Sequence, residues 1–109
     1  MYKFKSRATG DLIMLEPNGR QIVRIIGKSS DAGPAKGIVL PEEMPAAISA
    51  LQAAIALDEE RRAQEIAEAL SKGETPPVFE GVSLKKRALP FIDMLTRCHK
   101  ADREIVWGV

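Results

Sequence analysis

The sequence predicts an α+β fold: a small, mostly antiparallel three-stranded sheet, from two N-terminal strands and the C-terminal strand, packed with about three helices. Two observations carry this expectation. Short segments at 2–6, 11–15 and 104–108 alternate in polarity or are rich in apolar, β-branched and aromatic residues, as strands are. Between the second and third of them, three stretches near 17–26, 45–72 and 84–100 repeat apolar residues at helical spacing. The 109 residues suit one domain over 1–109, with flexible loops expected near 28–37 and 73–82.

Tyr2-Lys3-Phe4-Lys5-Ser6 alternates aromatic and cationic side chains, a strand with one wet face whose lysines suit a sheet edge. Gly10 supplies a turn into Asp11-Leu12-Ile13-Met14-Leu15. Four consecutive apolar residues there call for cover on both faces of the sheet. The next segment admits two readings. Glu16-Pro17-Asn18-Gly19 ahead of Ile22-Val23-Arg24-Ile25-Ile26 fits a hairpin. The apolar positions 22, 23, 25 and 26 also form one helical face, with Pro17 in the first turn and Gly27 as the stop. The helix is favoured.

Lys28 to Lys36 reads as an exposed loop, and Gly37-Ile38-Val39-Leu40 as an extended segment returning to the core. Pro41 to Met44 makes a turn, with Pro45 at the first helical position and Met44 pushed out of helical geometry by it. From Pro45 a helical pattern runs to Lys72, with Gly73 as the stop and Pro76-Pro77 beyond. Its apolar stripe (Ile48, Leu51, Ile55, then Ile66 and Leu70) is interrupted by Asp58-Glu59-Glu60-Arg61-Arg62. Asp58 with Arg62, and Glu68 with Lys72, have the favourable i,i+4 order. Unbroken, this helix would be ~42 Å long, whereas a compact chain of ~100 residues has a radius of gyration near ~13 Å. It either breaks near 58–62 or projects from the globule onto another chain. Ser83 is an N-cap for a last helix carrying Leu84, Ala88, Leu89, Ile92, Leu95 and Cys98 inward, and Pro90 inside it removes one backbone bond and bends it. The C-terminal strand contains Glu104-Ile105-Val106-Trp107; both terminal strands are expected in one sheet.

Several local strings carry a resemblance: Phe4-Lys5-Ser6, Met44-Pro45-Ala46-Ala47-Ile48, Ser83-Leu84 through Arg87-Ala88-Leu89-Pro90, and Val106-Trp107-Gly108-Val109. On these the chain resembles a bacterial family of small proteins catalogued as domain of unknown function 1840. The resemblance spans essentially the whole chain, supports a helix at 17–26, and implies a soluble protein of unassigned activity. It brings no catalytic motif.

The residues themselves exclude several classes. The lone Cys98 cannot form an internal disulfide. No apolar run approaches the ~18 residues of a membrane span, and no signal peptide opens the sequence. Sixteen basic against fifteen acidic residues leave no global field to steer the chain toward nucleic acid or lipid. Cys98-His99 is adjacent in a helix, where side chains point ~100° apart, so the pair reads as a buried thiol beside a helix-end imidazole. Glu59, Glu60, Glu65 and Glu68 lack any accompanying His motif and read as a solvated face. Lys85-Lys86-Arg87 opens a helix, where the dipole disfavours cations; Lys3, Lys5, Arg7, Arg20 and Arg24 are candidates to join it in space. Trp107 reads as core or subunit interface.

No catalytic, cofactor-binding or metal-binding residue is assigned from the sequence, and no cofactor. The expected function is a non-enzymatic cytoplasmic binding or regulatory module acting through the surface of an unknown protein partner, as a homodimer. The homodimer rests on the two-faced strand at 11–15 and the overlong helix. One alternative is a small enzyme or ligand-binding protein with a site assembled at a subunit interface. The second is weak nucleic-acid association through the basic residues.

Overall fold

The computed structural model describes residues 1–28, 36–79 and 82–108. The chain runs β1 (Tyr2–Phe4), β2 (Leu12–Met14), α1 (Glu16–Ile25), β3 (Gly37–Val39), a 3-10 turn at Pro41–Glu43, α2 (Met44–Ser71), α3 (Leu84–Ala101) and β4 (Ile105–Trp107). This is the expected α+β order, and the segment at 17–26 is the helix rather than the hairpin. Gly27 ends it at φ 77°, a left-handed conformation that glycine adopts without cost. The Lys28 amide then bonds back to the Val23 carbonyl at 2.9 Å.

The strands pair differently from the three-stranded sheet expected. β1 pairs antiparallel with β2 and β4 with β3, as two two-stranded sheets. One bridge joins them: Lys5 and Val106 exchange backbone hydrogen bonds of 2.8 and 2.9 Å. The segment 37–40 lacked alternation, yet it supplies the strand that pairs with β4. β1, whose lysines suited an edge, lies between β2 and β4; the apolar β2 is the edge instead.

Alternation sorts the strand residues into two faces. Tyr2, Phe4, Met14, Val39, Ile105 and Trp107 are buried, while Lys3, Ile13 and Ile38 are exposed. The buried set meets Ile22 and Val23 of α1, Met44, Ala47, Leu51 and Ile55 of α2, and α3 in one core. Burying side chains such as Ile22 and Leu51 contributes about 1.5–3 kcal/mol each. In α3 the inward stripe is Leu84, Ala88, Phe91, Met94, Leu95 and Cys98. Leu89 faces solvent, contrary to expectation, whereas Ile92 is half-buried and packs against the core as expected. Phe91 takes the inward place because its ring meets Phe4, at 4.6 Å between centroids. Pro90 deletes the bond to the Lys86 carbonyl, but α3 continues through it.

Met44 is helical (φ −64°, ψ −41°) despite preceding Pro45. The 3-10 turn runs directly into α2, and the fully buried Met44 side chain offsets the local steric cost. α2 is unbroken over 28 residues, so it does not break near 58–62 and it projects from the globule. The molecule is drawn out to 52 × 29 × 22 Å with a radius of gyration of 16.1 Å. Its outer half is laced by ion pairs of Asp58 with Arg61 and Arg62 (3.1 Å each), Arg61 with Glu65 (3.0 Å) and Lys72 with Glu68 (3.2 Å). The chain beyond Gly73 turns back alongside it, and Arg62 lies 4.7 Å over the Phe79 ring. The loop predicted at 28–37 falls largely on residues 29–35, outside the described residues, as do 80–81 of the second loop.

Gly37 sits where a Cβ would lie 2.5 Å from the Trp107 ring. Gly37→Ala is expected to destabilise by about 2 kcal/mol in urea unfolding, a typical cost of overpacking. Gly10→Ala, with nothing within 4 Å of its Cβ, should leave the midpoint nearly unchanged.

Candidate interaction surface

Cys98 and His99 do not form a site. The Cys98 side chain is fully buried; its thiol donates to the Ser6 hydroxyl at 3.2 Å and lies 4.0 Å from the Thr9 hydroxyl. His99 is exposed on the other side of the last turn. No group of three or more His, Cys, Asp or Glu among the described residues could hold a metal ion. The helix acids are engaged along their own surface: Glu65 and Glu68 as above, Glu60 with Gln64 at 3.5 Å, and Glu59 with Lys85 at 3.8 Å.

The basic run at the start of α3 is split three ways. Ser83 caps the helix, its hydroxyl accepting from the Lys86 amide at 3.3 Å. Lys85 turns to Glu59 on α2. Arg87 clamps α1 to α3, donating to Asn18 Oδ1 (3.1 Å), Gln21 Oε1 (2.5 Å) and the Val82 carbonyl (3.1 Å). Only Lys86 of the three lacks an ion pair or side-chain hydrogen bond among the described residues. Lys3, Arg20 and Arg24 are engaged elsewhere. Lys3 pairs with Asp11 at 3.6 Å and Arg20 with Glu16 at 2.7 Å, and Arg20 and Arg24 line a separate groove along α1.

Three surfaces remain as candidates for recognition. The first is the outer face of the strands, where Ile13, Val106 and Ile38 sit with Lys3 while every helix packs on the opposite face. The second is a cleft of about 270 Å³ between β2 and the start of α3, lined by Leu12, Ile13, Met14, Leu15, Asn18, Lys86, Arg87 and Pro90. The third is a cleft of about 400 Å³ between the end of α1 and the start of α2, with Ile25, Ile26, Val39, Ala47 and Ala50 on its walls. Lys28 and Glu43 line that third cleft and form a 2.6 Å ion pair. Nothing in the sequence pattern announced this pair, since Lys28 reads as the start of a loop and Glu43 as part of a turn.

With that geometry in place, comparison with known proteins decides one matter. Residues 1–107 match the family described as Domain of unknown function (DUF1840). The chain belongs to that family. No curated protein and no solved structure matches it. No helix among the described residues is long and apolar enough to cross a membrane.

The Glu43 carboxylate is held below the ordinary glutamate range. The hydrogen bond from Lys28 is the main cause and the Leu40 amide, 2.9 Å from Oε1, the next. A depressed carboxyl pKa stabilises the fold above the ordinary range and loses that contribution as pH falls through the depressed value. In a carbon-detected NMR titration, Lys28→Met should move the Glu43 midpoint upward, and an unmoved midpoint would show that the ion pair does not set it.

Proposed function

We propose that this chain is a non-enzymatic binding or regulatory module, cytoplasmic in a bacterial cell, that acts through a protein-partner surface and works as a homodimer. The observation that supports this most is the one-sided cover of the strands. Helices bury Tyr2, Phe4, Met14, Val39, Ile105 and Trp107, whereas Ile13 and Ile38 on the opposite face stay 54% and 41% exposed. Apolar side chains left on a face that no helix covers are candidates for burial against a partner. The cytoplasmic assignment draws on the single, unpaired, buried thiol of Cys98, which suits a reducing compartment.

Light scattering at micromolar concentration should report about twice the 11.9 kDa chain mass; a species of one chain mass alone would sink the homodimer. For the wider reading, affinity capture from the native extract is compared between the full chain and Ile38→Glu. Proteins held by the first and lost by the second place recognition on the outer strand face. The same set held by both would reject that face as the docking surface.

The cleft between α1 and α2 favours a second reading, binding of a small molecule with an apolar body. Its volume of about 400 Å³ lies within the ~300–1,000 Å³ of ligand sites. Native mass spectrometry of the purified protein would reveal a retained molecule, lost on filling the cleft with Ala50→Leu; retention unaffected by that change would refute the site.

A further inference from the structure

β2 is a sheet edge without the protection that edges usually carry. Natural edge strands are blunted by lysine, proline or a bulge, but Leu12-Ile13-Met14-Leu15 has no such residue, and Ile13 and Leu15 are exposed. The bridge fixes which backbone groups point off this edge. Lys5 exchanges both its N–H and C=O with Val106, so Lys5, and by alternation Lys3, direct their backbone groups toward β4. Tyr2 and Phe4 therefore turn theirs toward Met14 and Leu12. In the remaining pair, Lys3 with Ile13, the N–H and C=O of Ile13 point away from β1, outward from the sheet.

We propose that a second copy of this chain covers the edge, with β2 pairing antiparallel to β2 of the copy about a two-fold axis at Ile13. This deepens the homodimer reading and rests on it. A symmetric antiparallel pair centred on a residue whose N–H and C=O are both directed outward makes two hydrogen bonds at the axis itself, and Ile13 has that arrangement. Leu12 then lies opposite Met14 of the partner subunit, and the two half-sheets continue as one.

The exposed stripe of α3 beside this edge carries opposite charges at matched spacing. Lys86, Leu89, Pro90 and Asp93 share the exposed stripe of α3, and Lys86 and Pro90 line the cleft beside Ile13. Lys86 stands three positions before Leu89, and Asp93 three positions after Pro90. An antiparallel copy of this helix about the same axis sets Leu89 against Pro90 of the partner subunit. Lys86 then meets Asp93 of the partner subunit, twice. Such self-complementarity is what an isologous interface requires. Lys86 has no ion-pair partner of its own among the described residues, and the Asp93 pair with Arg97 at 3.2 Å is exposed and weak enough to yield. Ile13, Leu15 and Leu89, exposed by 54, 62 and 47%, are covered together.

Sedimentation equilibrium of the full chain and four variants, with circular dichroism of each, tests the arrangement. Ile13→Pro removes the outward N–H and is expected to weaken the dimer about tenfold or more with the spectrum unchanged, since proline is tolerated on an outward-facing edge. Lys86→Asp and Asp93→Lys each weaken it about fivefold through like charges meeting across the axis, and the double variant restores most of the loss. Should Ile13→Pro unfold, the restoration in the double variant decides alone. A dimer indifferent to Ile13→Pro and to both charge reversals places the interface elsewhere and overturns this arrangement while the homodimer stands. A chain that is monomeric throughout ends both.

Discussion

The Phe4 ring lies 4.6 Å from Phe91 and 5.5 Å from Trp107, with Tyr2 6.0 Å away on the same strand. It has no exposed surface. Through this one side chain the first strand, the middle of the last helix and the last strand are held in register. Trp107 carries the contact onward, because its ring lies against Gly37 and so seats β3. Removing a buried phenylalanine typically costs about 3–5 kcal/mol, a large part of the ~5–15 kcal/mol that stabilises a domain. The strands are only three residues long, too short to hold together by ladder bonds alone. Aromatic contacts across the layers do that work, and the backbone ladders follow.

Much of this was legible in the sequence because local signals agreed. The N-cap Ser83, the stop at Gly27, the i,i+4 pair of Asp58 with Arg62 and the helical spacing of α2 act within a few residues, and each appears as expected. The neighbourhood of the two terminal strands was legible, but β3 as the ladder partner of β4 was not, because the two lie about seventy residues apart and the segment 37–40 carries no alternation. Lys3 and Lys5 suggested an edge, yet their side chains only report one wet face, and a central strand can have that as readily. The inward face of α3 was misread at Leu89 because leucine and phenylalanine compete for it. Phe91 fills the larger space beside Phe4. The surface was hardest to read: nothing in the spacing of Lys28 and Glu43, fifteen residues apart, announced that they meet.

Two halves of the molecule therefore have different physical character. The inner half of α2 contributes Met44, Ala47, Leu51 and Ile55 to the shared core. The outer half is held in helix by its own ion pairs and by the returning chain, with Arg62 on Phe79. Exposed pairs of that sort each contribute only a few tenths of a kcal/mol, so the outer half is expected to fray before the core opens. The apolar edge at β2, by contrast, is mounted on the rigid side, one strand from Phe4. A recognition surface there loses little ordering entropy on contact.

The Lys5–Val106 bridge has a consequence for how the chain comes into being. Loop-closure entropy must be met before a contact of such long range is formed. During synthesis the helices can form as they emerge, but β1 has its β4 neighbour only once residue 106 has cleared the ribosome. Until then β1 is paired with β2 alone, and its other side, where Lys5 meets Val106 in the finished fold, is open. An open strand edge that carries apolar side chains is a route to aggregation, so the order in which the strands are made leaves the nascent chain exposed until residue 106 joins.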